Sequence, residues 1–544
     1  MAIENLITDH LDLWSATVRP KSSAGRGASS KLELTGIKKL RELILELAVR
    51  GKLVPQDPSD EPASVLLERI AAEKVRLVKE GKIKKPKALP KVSEQDKPFE
   101  LPKGWVITRL GEIGIWATGN GFPTNEQGLE DLEILFCKVS DMNLDGNERF
   151  ILKTMNTVSE DTARRIKLNL HKAGAVIFPK IGGAIATNKR RIISKATAID
   201  NNCLGITPYS EVASDYLFFL LTSIDMAKYQ VGTSVPALSQ GTLELIPIGI
   251  PSIDEQHRIV AKVDELMALC DQLEQRSESQ LAAHQTLVET LLATLIDCAD
   301  ADELAQNWAR LSTHFDTLFT TEASIDALKQ TILQMAVTGT LVSWGNNVRE
   351  EKLKNCISFG PRNGFSPKET TEDTGFYVLK LGATSYGCLN LTEIKNIDIA
   401  IEKESHLFIR KNDILIQRGN SANYVGSNCL VECDVDGIIY PDLMMKIMVN
   451  HKVSAKYLSL WLSSPRSRRF MWDRMTGTSG TMPKISKKVV EEIPVMVPLM
   501  ACQNDIVAKV DELMTLCDQL KSRLQTSQQT QLALAESLVA GALS

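Results

Sequence analysis

Gln256-His-Arg-Ile-Val-Ala-Lys-Val-Asp-Glu-Leu-Met-Ala-Leu-Cys-Asp-Gln-Leu273 returns as Gln503-Asn-Asp-Ile-Val-Ala-Lys-Val-Asp-Glu-Leu-Met-Thr-Leu-Cys-Asp-Gln-Leu520, at an offset of 247. Chance does not preserve so long a run, and an internal repeat of this kind decides the architecture before any single element is assigned. The offset holds upstream as well, pairing Pro236 with Pro483, Ser239 with Ser486, Glu244 with Glu491, Ile246 with Ile493, Pro247 with Pro494 and Pro251 with Pro498. A second echo, at an offset of 288, pairs Ile44-Leu-Glu-Leu-Ala-Val-Arg-Gly-Lys-Leu-Val54 with Ile332-Leu-Gln-Met-Ala-Val-Thr-Gly-Thr-Leu-Val342. The chain therefore runs arm, domain, coil, then arm, domain, coil. The two offsets differ by 41 residues, which places an insertion in the first unit, best accounted for by Asp57 to Lys97. That segment carries a helical pattern at Val65, Leu66, Ile70 and Leu77 and ends in a Lys/Pro linker, Lys82 to Lys91.

Within the repeat, Val263, Leu266, Cys270 and Leu273 fall at a and d of a heptad, which Leu287 and Leu291 continue. Val510, Leu513, Cys517, Leu520, Leu524, Leu534 and Leu538 repeat the stripe. Each helix is expected to run for about 40 residues, or about 60 Å. Polar residues interrupt both stripes, Ser277, Gln280 and His284 in one and Ser527 and Gln531 in the other, as register-setting layers do. Two near-identical stripes in one chain favour pairing with each other.

Between arm and coil the pattern changes to short strands, such as Ala175-Val-Ile-Phe178 and Asp413-Ile-Leu-Ile416, with short helices at Asp215 to Ile224 and Ala455 to Leu462. These are mixed α+β domains. Both carry a basic loop after a central strand: Lys180-Ile-Gly-Gly with Asn188-Lys-Arg-Arg191, and Gln417-Arg-Gly-Asn-Ser421. Both close on a Gly/Ser/Thr loop, Gly232-Thr-Ser-Val-Pro236 and Gly477-Thr-Ser-Gly-Thr-Met-Pro483. Glycine lets backbone approach a phosphate, and hydroxyls with Lys and Arg supply donors to phosphates and base edges. Any one such loop is an ordinary solvated turn; recurrence in both halves points to function. Arg466, Arg468 and Arg469 follow a helix and Pro465 and read equally well as a solvated turn.

With 544 residues, 43% hydrophobic and 24% charged, the chain holds three to four domain equivalents of globular composition. A net charge of −4 excludes coating of nucleic acid by bulk charge, so a DNA-binding surface must be locally basic. The longest apolar stretch, Ile493 to Cys502, is short and broken by Pro494 and Pro498, so no bilayer span is expected. Ten scattered cysteines and an acidic amino terminus indicate a reducing, cytoplasmic compartment. Enzyme signatures are missing. No Pro-Pro dipeptide occurs, as an adenine amino-methyltransferase motif would need, and neither Gly51-Lys52 nor Gly81-Lys82 is followed by Ser or Thr. Pro441-Asp442 has no downstream Asp/Glu-x-Lys and reads as structural rather than as a nuclease carboxylate. Cys429 and Cys433 lack a histidine pair, so no metal site is expected, and Cys270 and Cys517 read as packing residues.

Leu101-Pro-Lys-Gly-Trp105 with Arg109-Leu-Gly111, Ile246-Pro-Ile-Gly-Ile-Pro251 before Glu255-Gln256, Arg418-Gly-Asn-Ser421 and Ile493-Pro-Val-Met-Val-Pro498 together resemble a type I restriction-modification specificity subunit over nearly the whole chain. The front segment, Lys21-Ser-Ser-Ala-Gly-Arg-Gly27 and Gly36-Ile-Lys-Lys-Leu-Arg-Glu-Leu43, is similar to one subgroup of that family. The second domain departs from the pattern, with Val348 to Leu353 where a Leu-Pro-x-Gly-Trp motif would stand.

The resemblance implies two target recognition domains separated by two helices that form an antiparallel coiled coil, a pseudo-twofold tandem repeat. The divisions are then residues 1–97 (arm and linker), 98–255 (first recognition domain), 256–344 (coil helix and second arm), 345–502 (second recognition domain) and 503–544 (closing coil helix). It implies a non-catalytic subunit that reads a split asymmetric target in double-stranded DNA, with the coil as ruler. Two modification subunits would bind S-adenosylmethionine and methylate adenine, and restriction subunits would use ATP and Mg; none of these cofactors is expected on this chain. Candidate DNA contacts are Lys180, Asn188, Lys189, Arg190, Arg191, Thr233 and Ser234 in the first domain. In the second they are Arg418, Asn420, Ser421, Thr478, Ser479, Lys484 and Lys487. The competing classes are a coiled-coil scaffold without DNA specificity, for which two loop-rich domains have no use, and a stand-alone endonuclease, for which the motifs are missing.

Overall fold

A computed structural model describes residues 7–20, 32–97, 99–232, 235–298, 301–402, 404–477 and 482–543. It contains two compact units, one built on Glu33–Ser277 with Thr530–Ser544 and the other on Glu278–Gln529. Among the described residues no helix is long and apolar enough to cross a membrane.

The first unit opens with the arm helix Thr35–Val49, whose Ile37, Leu40, Leu43, Ile44 and Leu47 form one buried face at helical spacing. Gly51 stops it with φ +66, and a side chain there would meet the Trp105 indole at 2.8 Å. Glu255, buried at the start of the first long helix, accepts from the Trp105 Nε1 at 2.9 Å and from Gln56 at 2.6 Å, and loss of solvent raises its pKa. The domain itself is a five-stranded sheet beside a four-stranded one. The order in the larger is Gly114–Thr118, Cys203–Pro208, Val176–Pro179, Arg191–Ile193, Phe150–Ile151. The smaller runs Thr157–Val158, Ile134–Cys137, Thr197–Ile199, Leu170–His171. A separate pair, Val106–Arg109 with Pro247–Ile250, ties the start of the domain to its end.

The second unit repeats the order Ile357–Asn363, Met444–Val449, Ile414–Gln417, Asn428–Leu430, and it sets Tyr377–Leu379 parallel to Ile438–Ile439 as Ile134–Cys137 is to Thr197–Ile199. Arg349–Lys352 pairs with Pro494–Val497, so the divergent start of this domain forms the same closing strand pair. The missing tryptophan is also supplied. Gly339, the counterpart of Gly51, has φ +82, and a side chain there would meet the Trp344 ring at 3.0 Å, although Trp344 lies in the arm's own tail. Glu255 corresponds to Cys502, which removes the carboxylate, and the Trp344 Nε1 is accordingly buried without a partner.

Several hydrogen bonds recur between the units. Gln256 donates to Pro251 O and Glu211 O and accepts from Ala213 N; Gln503 donates to Pro498 O and Lys452 O and accepts from Ser454 N. Both glutamines are fully buried, so each clamps its long helix to the loop before a domain helix. Tyr216 and Tyr457 donate to Gly249 O and Met496 O. On the arm helices, Arg41 pairs with Asp271 at 2.7 Å, and Lys329, at the matching position, with Asp518 at 2.6 Å.

The long helices span Ile253–Ile296 and Met500–Leu543. Val263, Leu266 and Cys270 are buried in the core of the first unit with Ala535, and Leu273, Leu538, Val539 and Leu543 pack on it. Val510, Leu513 and Cys517 are buried in the second unit with Val288, Leu292 and Leu295, beside Leu291, Leu520 and Leu524. This corrects the expectation that the two four-residue sets face one another: each belongs to a different core. Leu287 and Leu534, expected on the stripe, are exposed, and the buried positions are their neighbours Val288 and Ala535. An α-helix drifts by about 20° per heptad against a 3.5-residue repeat, so over several heptads the apolar stripe moves to the adjacent residue.

Candidate nucleic-acid interface

The loops after the two central strands are built alike. Lys180 follows Val176–Pro179; its N–H donates to Asn202 O and its carbonyl accepts from Leu238 N, both at 2.8 Å. Arg418 follows Ile414–Gln417, donating to Leu443 O at 2.9 Å and accepting from Ile485 N at 2.8 Å. Each loop is thus held between the strand that neighbours it and the chain returning from the Gly/Ser/Thr loop. Thr233 and Ser234, like Thr478 and Ser479, lie outside the described residues. Lys484 is exposed, bridges to both Gly419 and Thr476, and lays its Cγ 3.1 Å from where a Gly419 side chain would begin. Lys487 is exposed at the start of the helix Lys487–Glu491, which Ser486 caps.

The basic run of the first domain behaves differently from its sequence reading. Arg190 is buried, and its guanidinium donates to Leu221 O at 3.1 Å, Lys189 O at 2.8 Å and Asn188 Oδ1 at 2.7 Å, over the Phe178 ring. Burial pushes its pKa down to about 9, still charged near neutrality. No phosphate can reach it. Asn188, half-buried at φ +49, ends the turn Gly182–Thr187, and its amide donates to Thr222 O. Arg191 is half-buried and donates to Arg190 O and Met142 O, while Lys189 reaches Asn143. The run therefore props the turn Val139–Asn143 against the central sheet.

In the second domain the corresponding turn is Leu381–Thr384, and the buried Gln417 holds it by donating to Leu381 O, Thr384 Oγ1 and Ser385 Oγ at 2.8, 3.0 and 3.1 Å. The Gln417 oxygen accepts from Asn420 at 2.7 Å, and Asn420 Oδ1 in turn accepts from Ser421 N. Asn420 and Ser421 thus shape the loop that carries Arg418, which is half-buried with its Nε buried without a partner. The turn expected at Arg466–Arg469 is a helix, Pro465–Trp472, in which Arg468 donates to Ser427 Oγ and Asn423 O and stacks on Trp472. It braces the same loop from behind. Sequence reasoning missed Gln417 as an organiser. Its signal was a polar residue closing an apolar strand, which alternation alone does not distinguish from a strand end.

These placements separate two roles by experiment. Arg190→Ala is expected to lower stability by about 2–3 kcal/mol in chemical unfolding, because three acceptors lose a charged donor. Lys189→Ala is expected to leave stability near wild type while lowering the salt slope of DNA binding by about one unit if it meets a phosphate. Wild-type stability for Arg190→Ala would contradict the structural assignment.

A family model for the type I restriction modification DNA specificity domain matches residues 102–283. Over the full length of both chains, the sequence is 38% identical to the type I restriction enzyme EcoEI specificity subunit and 36% identical to that of EcoAI, both from Escherichia coli. A solved chain from work on complex assembly and conformational transition of the type I R-M system superposes with a TM-score of 0.53 at 18% identity, covering 82% of this chain and 99% of that one. It shares the fold.

Proposed function

Because the chain belongs to the type I restriction enzyme specificity subunits and is therefore a DNA-recognition subunit, we propose that its two α/β domains each read one half of a split, asymmetric target. The observation that carries this reading is the common frame with different loops. Lys180 and Arg418 are pinned by the same backbone bonds, yet the turns beside them are held by Arg191 and Lys189 in one domain and by Gln417 in the other. A shared frame meets equivalent backbone, and different side chains select different bases.

The two 44-residue helices act as an antiparallel coiled coil. Support comes from each unit separately, since the start of one helix is packed with the end of the other. Tandem units closed in this way have a pseudo-twofold axis that suits the dyad of duplex DNA, and the coil length then sets the spacing of the half-sites. Specificity subunits are non-catalytic as a family. Adenine methylation from S-adenosylmethionine belongs in this reading to two modification subunits, and ATP- and Mg-dependent restriction to restriction subunits, in the cytoplasm.

The purified chain is expected to show no methyl transfer, and to gain sequence-specific binding and methylation of one split motif when modification subunits are added. Methyl transfer by the chain alone, measured with labelled S-adenosylmethionine, would refute the reading.

A further inference from the structure

The second domain carries a feature that its basic loop does not explain. Tyr386 stands at the tip of the turn held by Gln417 and is 80% exposed, the most exposed of the large hydrophobic side chains among the described residues. Isolated exposed apolar residues are ordinary. This one is fixed. The backbone beneath it is closed by Ser385 N to Gly382 O and Asn390 N to Ala383 O, and the fully buried Gln417 holds three atoms of the same turn. Its ring meets Tyr424 edge-on, with centroids 6.2 Å apart and planes at 83°. Tyr424 lies in the short turn Ala422–Tyr424 that follows Arg418, and hydrogen bonding with Tyr386 holds its pKa above the ordinary value. Gly387, at φ +81 with open space around it, turns the chain away directly after the tyrosine.

The two turns therefore converge on a pair of tyrosines, with Arg418 at the root of one turn and Lys484 lying across Gly419 behind it. The topologically matching turn of the first domain ends in Asn143-Leu144, with Lys189 reaching Asn143 in place of an aromatic pair. The frames agree and the tips differ, which is the pattern expected where two domains of one chain read different bases.

Resting on the reading of the second domain as a DNA reader, we propose that Tyr386, braced by Tyr424 and positioned by Gln417, is a specificity-determining residue of that domain, presenting its ring edge and hydroxyl to base edges in a groove of duplex DNA. An aromatic face and edge suit a thymine methyl or a base edge, and the hydroxyl both donates and accepts. Gln417 is a positioning residue, since it is buried and reaches DNA only through the turn it holds.

The test uses the full chain assembled with its modification subunits and a panel of duplexes in which each base pair of both half-sites is replaced in turn. In Tyr386→Ala, affinity for the cognate duplex is expected to fall by roughly 5- to 150-fold, the range of one good base contact. Discrimination is expected to relax at one or a few positions of a single half-site. Unchanged discrimination in the other half-site serves as the internal check on folding and assembly. Full retention of discrimination at every position would overturn the proposal, and so would a uniform loss across both half-sites, which marks a general backbone contact. A wild-type complex that discriminates in only one half-site would remove the two-domain reading itself, an outcome visible before any variant is made.

Discussion

Lys446→Met is expected to destabilise the protein by about 3–5 kcal/mol, the cost of leaving one member of a buried ion pair without the other. Lys446 and Asp413 lie 2.9 Å apart with side chains only 4% and 1% exposed. The ammonium also donates to Phe408 O at 2.8 Å and sits over the Phe359 and Tyr440 rings. Asp413 accepts from Arg410 N as well, so removing the lysine leaves a charged carboxylate in a dry sheet with one backbone donor. Chemical unfolding of Lys446→Met, Asp413→Asn and the double variant measures the coupling. The double variant is expected to recover a large part of the loss. A loss in the double variant equal to the sum of the two single losses would show that the two groups do not act as a pair.

The second large effect concerns symmetry. A fragment of residues 1–298 is expected to pair with itself and to direct modification subunits to a palindromic target. The first unit needs the far end of the second long helix, where Ala535 is buried and Leu538, Val539, Ala542 and Leu543 pack on the core that includes Val263, Leu266 and Cys270. At the offset of 247, the fragment's own Val288, Leu291, Leu292 and Leu295 match Ala535, Leu538, Val539 and Ala542. A second copy can thus supply the missing segment, and two identical helices paired antiparallel have a true twofold axis. Both readers would then be the first domain. The arm helix Glu322–Thr338 is omitted because its Ile325, Leu328 and Ile332 are buried in the second unit, and without that unit they would lie open to solvent. Pairing pays the entropy that the covalent link avoids, so it is concentration-dependent. Light scattering gives the mass, and mapping of methylated sites gives the motif. A folded fragment that stays monomeric at tens of micromolar, or one that still marks the asymmetric motif, would rule out the pseudo-twofold arrangement.

At one position the two domains show how the same frame takes different interiors. Gly205 and Lys446 occupy matching places on their strands, opposite Ile177 and Leu415. A side chain on Gly205 would come within 2.4 Å of the His171 ring, which fills that space instead. Burial pushes the His171 pKa down to about 4, so the first domain holds a neutral imidazole where the second holds an ion pair. Neither arrangement is visible as an alternation of apolar and polar residues: Lys446 stands between the buried Met445 and Ile447, and His171 is buried beside the exposed Leu170.

The sequence by itself determined the tandem order, the two long helices, the central strands and the loops that follow them. These are local or repeated patterns, and a repeated string of residues carries its meaning without knowledge of its neighbours. Only the tertiary structure decided which part of each apolar stripe meets which partner, since helical drift accumulates over several heptads and moves the buried positions from Leu287 to Val288 and from Leu534 to Ala535. Only it showed that Trp344 does the work of Trp105 from a different place in the chain. The same holds for charge. Arg190 reads as a phosphate ligand in a row of basic residues, yet the carbonyl at the end of the helix Ser214–Ser223 and the Phe178 ring take it into the interior. Whether a cation faces water or carbonyls depends on groups about 30 residues away in sequence, and that distance is closed only by folding.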